Sequence, residues 1–112
     1  MGRSHQTDAG EDPTDRHAAE VEALRHAVFE SPGSTELAVR ASAGSGGQLS
    51  DPIGSYAELV RDRSYRITDS DVDELTAAGL SDDAIFEITV AAAVGAALQR
   101  LSAGMRAIRG TA

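Results

Sequence analysis

An all-α fold is predicted by three features of this chain. Apolar residues recur at helical spacing from residue 14 onward, and no segment shows the alternation of β-branched residues that marks a strand. Helix start and stop signals punctuate the sequence at regular intervals, with "SPG" at 31–33, a glycine cluster at 44, 46 and 47, "TDSD" at 68–71 and Gly79. The chain is 41% hydrophobic but has only four aromatic residues, Phe29, Tyr56, Tyr65 and Phe86, so its core is built from Leu, Ile, Val and Ala. Such a core suits helices packed closely through small side chains.

The 112 residues fit one small domain with one modest core. Residues 1–12 are polar, acidic and poor in apolar groups, and read as a disordered arm, leaving 13–110 as a single helical domain. The first helix is expected from about Thr14 to Glu30, with Val21, Leu24 and Val28 on one stripe and "SPG" as its end. A shorter helix from about Ser34 to Ala43 places Leu37 and Ala41 on one face and closes at the glycine cluster. Asp51 before Pro52 reads as an N-cap followed by proline in the first turn, where its missing N–H costs nothing. That third helix runs to about Arg66 and buries Ile53, Tyr56, Leu59 and Val60.

"TDSD" has the form of a capping box, with Thr68 and Asp71 reciprocally placed, and opens a short helix that carries Val72 and Leu75. Gly79 supplies the left-handed residue that ends it, and Leu80 can pack back on the preceding turn. Ser81 starts the last helix, which has Asp82 and Asp83 in its first turn and Arg100, Arg106 and Arg109 toward its end, complementing the macrodipole at both termini. Ala91, Ala92, Gly95 and Ala96 leave room for close backbone approach, and Ile85 belongs to the core. Leu98, Leu101, Met105 and Ile108 follow at 3, 4, 3 spacing as an apolar seam. A chain this small has difficulty enclosing so apolar a helix alone, so a second copy is expected to cover the seam in a homo-oligomer. The uncharged run between Glu87 and Arg100 falls well short of the roughly twenty residues of a membrane span, which favours a buried helix over a membrane segment.

Ten basic against eighteen acidic residues give a formal net charge of -8, which opposes non-specific binding to nucleic acid or anionic membranes. No apolar segment follows the positive start of the N-terminus, so a cytoplasmic location is expected. The absence of cysteine removes disulfides, thiolate nucleophiles and cysteine metal sites together. His5, His17 and His26 are not spaced for a shared metal, and no metal or cofactor is expected. "SGG" at 45–47 lacks the strand and the Gly-Lys-Ser/Thr of a phosphate loop and reads as a plain loop.

The stretch "TAAGLSDDAIFEITVAAAVGAALQRL", with "YAELVRDRSYRITDSDVDEL" before it, resembles the alkylhydroperoxidase D-like (AhpD-like, or carboxymuconolactone decarboxylase-like) superfamily over roughly residues 52–108. The resemblance implies an all-helical subunit that assembles into dimers, trimers or hexamers through a long alanine-rich helix. Peroxidase members carry Cys-x-x-Cys and a following His before the glycine. Counting back from Gly79 puts Ser64 and Ile67 at the cysteine positions and Asp71 at the histidine. A dithiol cycle needs one thiolate to attack the peroxide and a second thiol to resolve the sulfenic acid. Ser64 and Ile67 can do neither, so that mechanism is closed to this chain.

The lactone decarboxylase branch relies on a His and acidic groups, and here only Glu58 and Asp71 stand near comparable places. Their plainer roles are an exposed helical carboxylate and a capping residue. The remaining local chemistry is the cluster Arg61, Arg63 and Arg66 with Tyr65, where Arg63 and Arg66 on one helix face would suit a carboxylate or phosphate, against the ordinary preference for arginine in a last helical turn. Tyr56, Tyr65 and Phe86, with Arg63 and Arg66, are the residues expected to line a mostly apolar pocket between the third and fifth helices. The leading expectation is a cysteine-less AhpD-like homo-oligomer with an accessory or small-ligand-binding role. The alternatives are a lactone decarboxylase-like acid/base enzyme and a helical module that pairs with a different protein.

Overall fold

A computed structural model describes residues 13–110, with side chains from residue 16; the acidic arm expected at 1–12 lies outside the described residues. Every regular element among them is helical, as the periodicity predicts. In chain order these are α1 (Pro13–Phe29), α2 (Leu37–Ser45), α3 (Ile53–Arg63), a 3-10 turn (Ser64–Arg66), α4 (Asp69–Ala77) and α5 (Asp82–Gly110).

The first half of α5 is the axis of the fold. Ile88, Ala91 and Ala92 are fully enclosed, and around them pack Ala43 of α2, Tyr56, Ala57 and Val60 of α3, and Leu75 of α4. Ile85 belongs to the same core. Small residues decide how closely α2 approaches. A side chain on Gly95 would collide with the Gly44 backbone, and one on Gly44 would meet the Phe29 ring at 2.6 Å and the Ala91 carbonyl oxygen at 3.0 Å. Close approach at Gly95 is thus an internal α2–α5 crossing. It also corrects the expected inner face of α2: Leu37 is 46% exposed, and the helix turns Arg40, Ala43 and Gly44 inward, because a leucine does not fit where two backbones nearly touch.

The local stop and start signals act as the sequence indicates. Thr68 and Asp71 form the capping box, the Thr68 N–H donating to the Asp71 carboxylate at 2.8 Å and the Asp71 N–H to the Thr68 hydroxyl. Gly79 has φ +99, and the N–H groups of Gly79 and Leu80 donate to the carbonyls of Thr76 and Leu75, which is a Schellman closure with Leu80 laid on the core. The Ser81 hydroxyl accepts the Ala84 N–H at the start of α5.

Three boundaries differ. α2 starts at Leu37 instead of Ser34, because the N–H groups of Ser34 and Thr35 donate to the Glu87 carboxylate on α5 and hold that segment out of the helix. Pro52, joined to Asp51 by a cis peptide bond, occupies the cap position of α3, and Asp51 caps from one residue further out, accepting the Ser55 N–H and hydroxyl. α3 ends at Arg63, which leaves helical geometry at φ -149, ψ 52, so the predicted helix to Arg66 finishes as a 3-10 turn.

α5 is 29 residues long, about 43 Å at 1.5 Å per residue. Among the described residues it is the one helix long and apolar enough to cross a membrane by length and composition. Its apolar first half is nonetheless the centre of the core. Beyond Arg100 no residue of α5 is buried, and only Met105 is half-covered.

Candidate functional site

Three features carry the polar chemistry or the exposed apolar surface of the described residues. A hollow of about 530 Å³ lies between the end of α2, the 46–51 loop and the outer face of α3. Asp51, Ser55, Glu58 and Asp62 follow one another at helical spacing along its α3 wall, and Ser42, Gly46, Gly47 and Gln48 form the opposite side. Glu58, the carboxylate singled out in the sequence, stands in this hollow and is exposed. Arg61 is at its edge, but its guanidinium is already engaged, donating to the Gly44 carbonyl and, at 2.6 Å, to the Gln99 side chain. Arg100 of α5 returns the link by donating to the Arg61 carbonyl at 2.8 Å. Arg61 therefore locks α3 to α2 and α5.

The other expected site residues are dispersed. Tyr56 is 6% exposed and part of the core, its hydroxyl 2.7 Å from that of Thr89. Tyr65 is 83% exposed on the 3-10 turn, and Phe86 is 68% exposed on α5 beside a small hollow of about 200 Å³ that it shares with Val28, Arg40, Glu87 and Val90. The structure does not gather Tyr56, Tyr65 and Phe86 around one cavity. Arg63 and Arg66 are separated by the break at Arg63 and do not share a continuous helix face. Ser64 opens the 3-10 turn and its carbonyl accepts the Ile67 N–H, while Ile67 packs against the core. The Asp71 carboxylate is engaged by both the N–H and the hydroxyl of Thr68.

One polar assembly escapes any reading of the sequence in order. Arg40 is 4% exposed, and donates to the Val28 carbonyl at 2.9 Å and the Thr35 carbonyl at 3.3 Å. The first of these satisfies one of the carbonyls that the end of α1 leaves without a helical partner. Glu87, on the other side of Thr35, accepts its N–H at 2.8 Å and its hydroxyl at 2.7 Å, besides the Ser34 N–H. The Ser34 N–H, the Thr35 groups and the Arg40 charge hold the Glu87 carboxyl below its ordinary value. Thr35 thus joins an arginine and a carboxylate that do not touch directly, and ties the α1–α2 connection onto α5. A lone arginine inside "LAVRASAG" was the available signal for a buried charge.

The third feature is the far half of α5. Leu98 and Met105 are half-buried, and Leu101 and Ile108 are 49% and 65% exposed. Leu98 also lines a cleft of about 420 Å³ between α1 and α5, with Phe29 opposite and Ala41, Gly44 and Gly95 among its lining residues. On α1, Val28 reaches the core while Leu24, one turn earlier on the same stripe, is 45% exposed.

No family model, curated protein or solved structure matches this chain. Among the described residues no cluster of three or more His, Cys, Asp or Glu is arranged to hold a metal ion.

Proposed function

We propose that this protein is a cysteine-less, AhpD-like helical subunit that self-associates through the far half of α5 and serves in an accessory or small-ligand-binding role in the cytoplasm, without nucleic acid or membrane as partner. The observation that carries the reading is the α5 seam. From the half-buried Leu98, Leu101 and Met105 continue the apolar stripe of the core helix past the point where the other described residues bury it, and exposed apolar stripes of this kind mark surfaces that meet another chain. The glycine-closed short helix followed by a long alanine-rich helix supports the likeness to the superfamily. Its dithiol chemistry does not carry over, since the chain has no cysteine, and the count back from Gly79 sets Ser64 and Ile67 against the thiol positions of the resemblance.

Glu58 in the 530 Å³ hollow favours a second reading, acid/base chemistry on a small molecule. Native mass spectrometry of protein purified gently from its source separates the two. A multiple of the 11.6 kDa chain without added mass supports an accessory subunit. A multiple with a defined extra mass that Glu58→Gln releases supports ligand handling in the hollow, and a bare monomer contradicts self-association.

A further inference from the structure

α1 is fastened to the rest of the chain at one end. From residue 16 to Phe29 no side chain is buried, and only Val28 and Phe29 reach the core. The buried members of that core, from Ala43 to Ala92, all belong to α2, α3, α4 and α5. The hydrogen bonds that hold the connection after α1 converge on two side chains of this body. Arg40 of α2 donates to the carbonyls of Val28 and Thr35, and Glu87 of α5 accepts the Ser34 N–H and both the N–H and the hydroxyl of Thr35. Gly33 lies on the same carboxylate, so closely that a Cβ there would meet it at 2.6 Å. Glu36 follows in extended geometry, φ -67 and ψ 147, before α2 begins.

From these contacts we infer that α1 and residues 30–35 form a hinged cover, which opens about Glu36 as a unit while the α2–α5 body stays folded, with the Glu87 carboxylate as its catch. Segments held by few buried apolar contacts are the ones that open below the global unfolding free energy. The closed state also carries a cost of its own. Arg40 is 4% exposed, and its Nε–H is buried without a partner among the described residues. An orphaned donor on a charged group is costly, and lifting the cover relieves it by hydration. The body meanwhile keeps ties that do not involve α1, since Arg61 of α3 donates to the Gly44 carbonyl of α2 and the Gln99 side chain of α5. Opening takes the Phe29 ring off Gly44 and uncovers the α2–α5 crossing.

Hydrogen exchange of the full chain at neutral pH, read by mass spectrometry on peptides, tests the cover. In wild type, α1 is expected to exchange faster than residues 85–92. Glu87→Gln keeps the shape and removes the charge, and is expected to speed α1 and 30–35 together by about tenfold, the scale of a lost charge-assisted hydrogen bond, with 85–92 unchanged. Gly33→Ala probes the catch without altering Glu87, because its methyl group displaces the flexible carboxylate end; it is expected to speed the same peptides. Elsewhere this substitution stiffens the unfolded chain and stabilises, so unchanged or slower exchange of α1 in Gly33→Ala would overturn the catch. A rise in α1 and 85–92 in step, in a variant with native circular dichroism, would show one cooperative unit and overturn the cover. If Glu87→Gln does not fold, Gly33→Ala decides alone.

Discussion

At the scale of single residues, two glycines of α5 have opposite expected behaviour. Alanine is the better helix former by about 0.8–1 kcal/mol, yet a Cβ on Gly95 runs into the Gly44 backbone, which has no flexible end to move aside. Gly95→Ala is therefore expected to destabilise by about 1–3 kcal/mol, the range for overpacking. A methyl group on Gly104 would meet no atom within 4 Å, so Gly104→Ala is expected to stabilise by about 0.5–1 kcal/mol. Urea unfolding of the two variants checks both signs. Glu87 gives a pH prediction. Its folded-state pKa is lowered from an ordinary 4.5 by the Ser34 N–H, the Thr35 groups and Arg40. Its contribution is thus present above about pH 4.5 and fades as pH falls through the depressed value. The melting-temperature gap between wild type and Glu87→Gln is expected to narrow between pH 6 and pH 3; a constant gap would contradict the latch.

At the scale of elements, what was legible in the sequence was what is decided locally. The Thr68–Asp71 box, the Gly79 closure and the Ser81 start each depend on residues within five positions of one another, and each forms. Thr68→Ala is expected to cost about 0.5–2 kcal/mol, measured by thermal unfolding, with α4 losing protection from hydrogen exchange before α5. What was not legible depends on partners far away in the chain. The start of α2 is displaced by Glu87, more than fifty residues later. The inner face of α2 is chosen by the backbone of Gly95 and not by the hydrophobicity of Leu37. The expected pocket failed to assemble for a similar reason. Tyr56, Tyr65 and Phe86 sit on three different elements, and only their rotation about those helices, fixed by packing, decides which turns inward. Glu58 could be recognised as a carboxylate near the right place, but the hollow it faces is made by the loop after α2.

At the scale of the whole molecule, α5 has two roles along its length. Its first half organises the core around Ile88, Ala91 and Ala92, and its second half carries an apolar seam with Arg106 and Arg109 away from the body. The Arg61 and Arg100 contacts mark the border between them, pinning α3 to α5 where coverage ends. The central claim is that the second half is completed by another chain. Sedimentation velocity of wild type and Leu101→Asp tests it most directly, since Leu101 is 49% exposed and absent from the core, so that its replacement leaves the subunit folded. The expected result is a wild-type multimer and a folded Leu101→Asp monomer; identical sedimentation of the two proteins would contradict an interface at this seam.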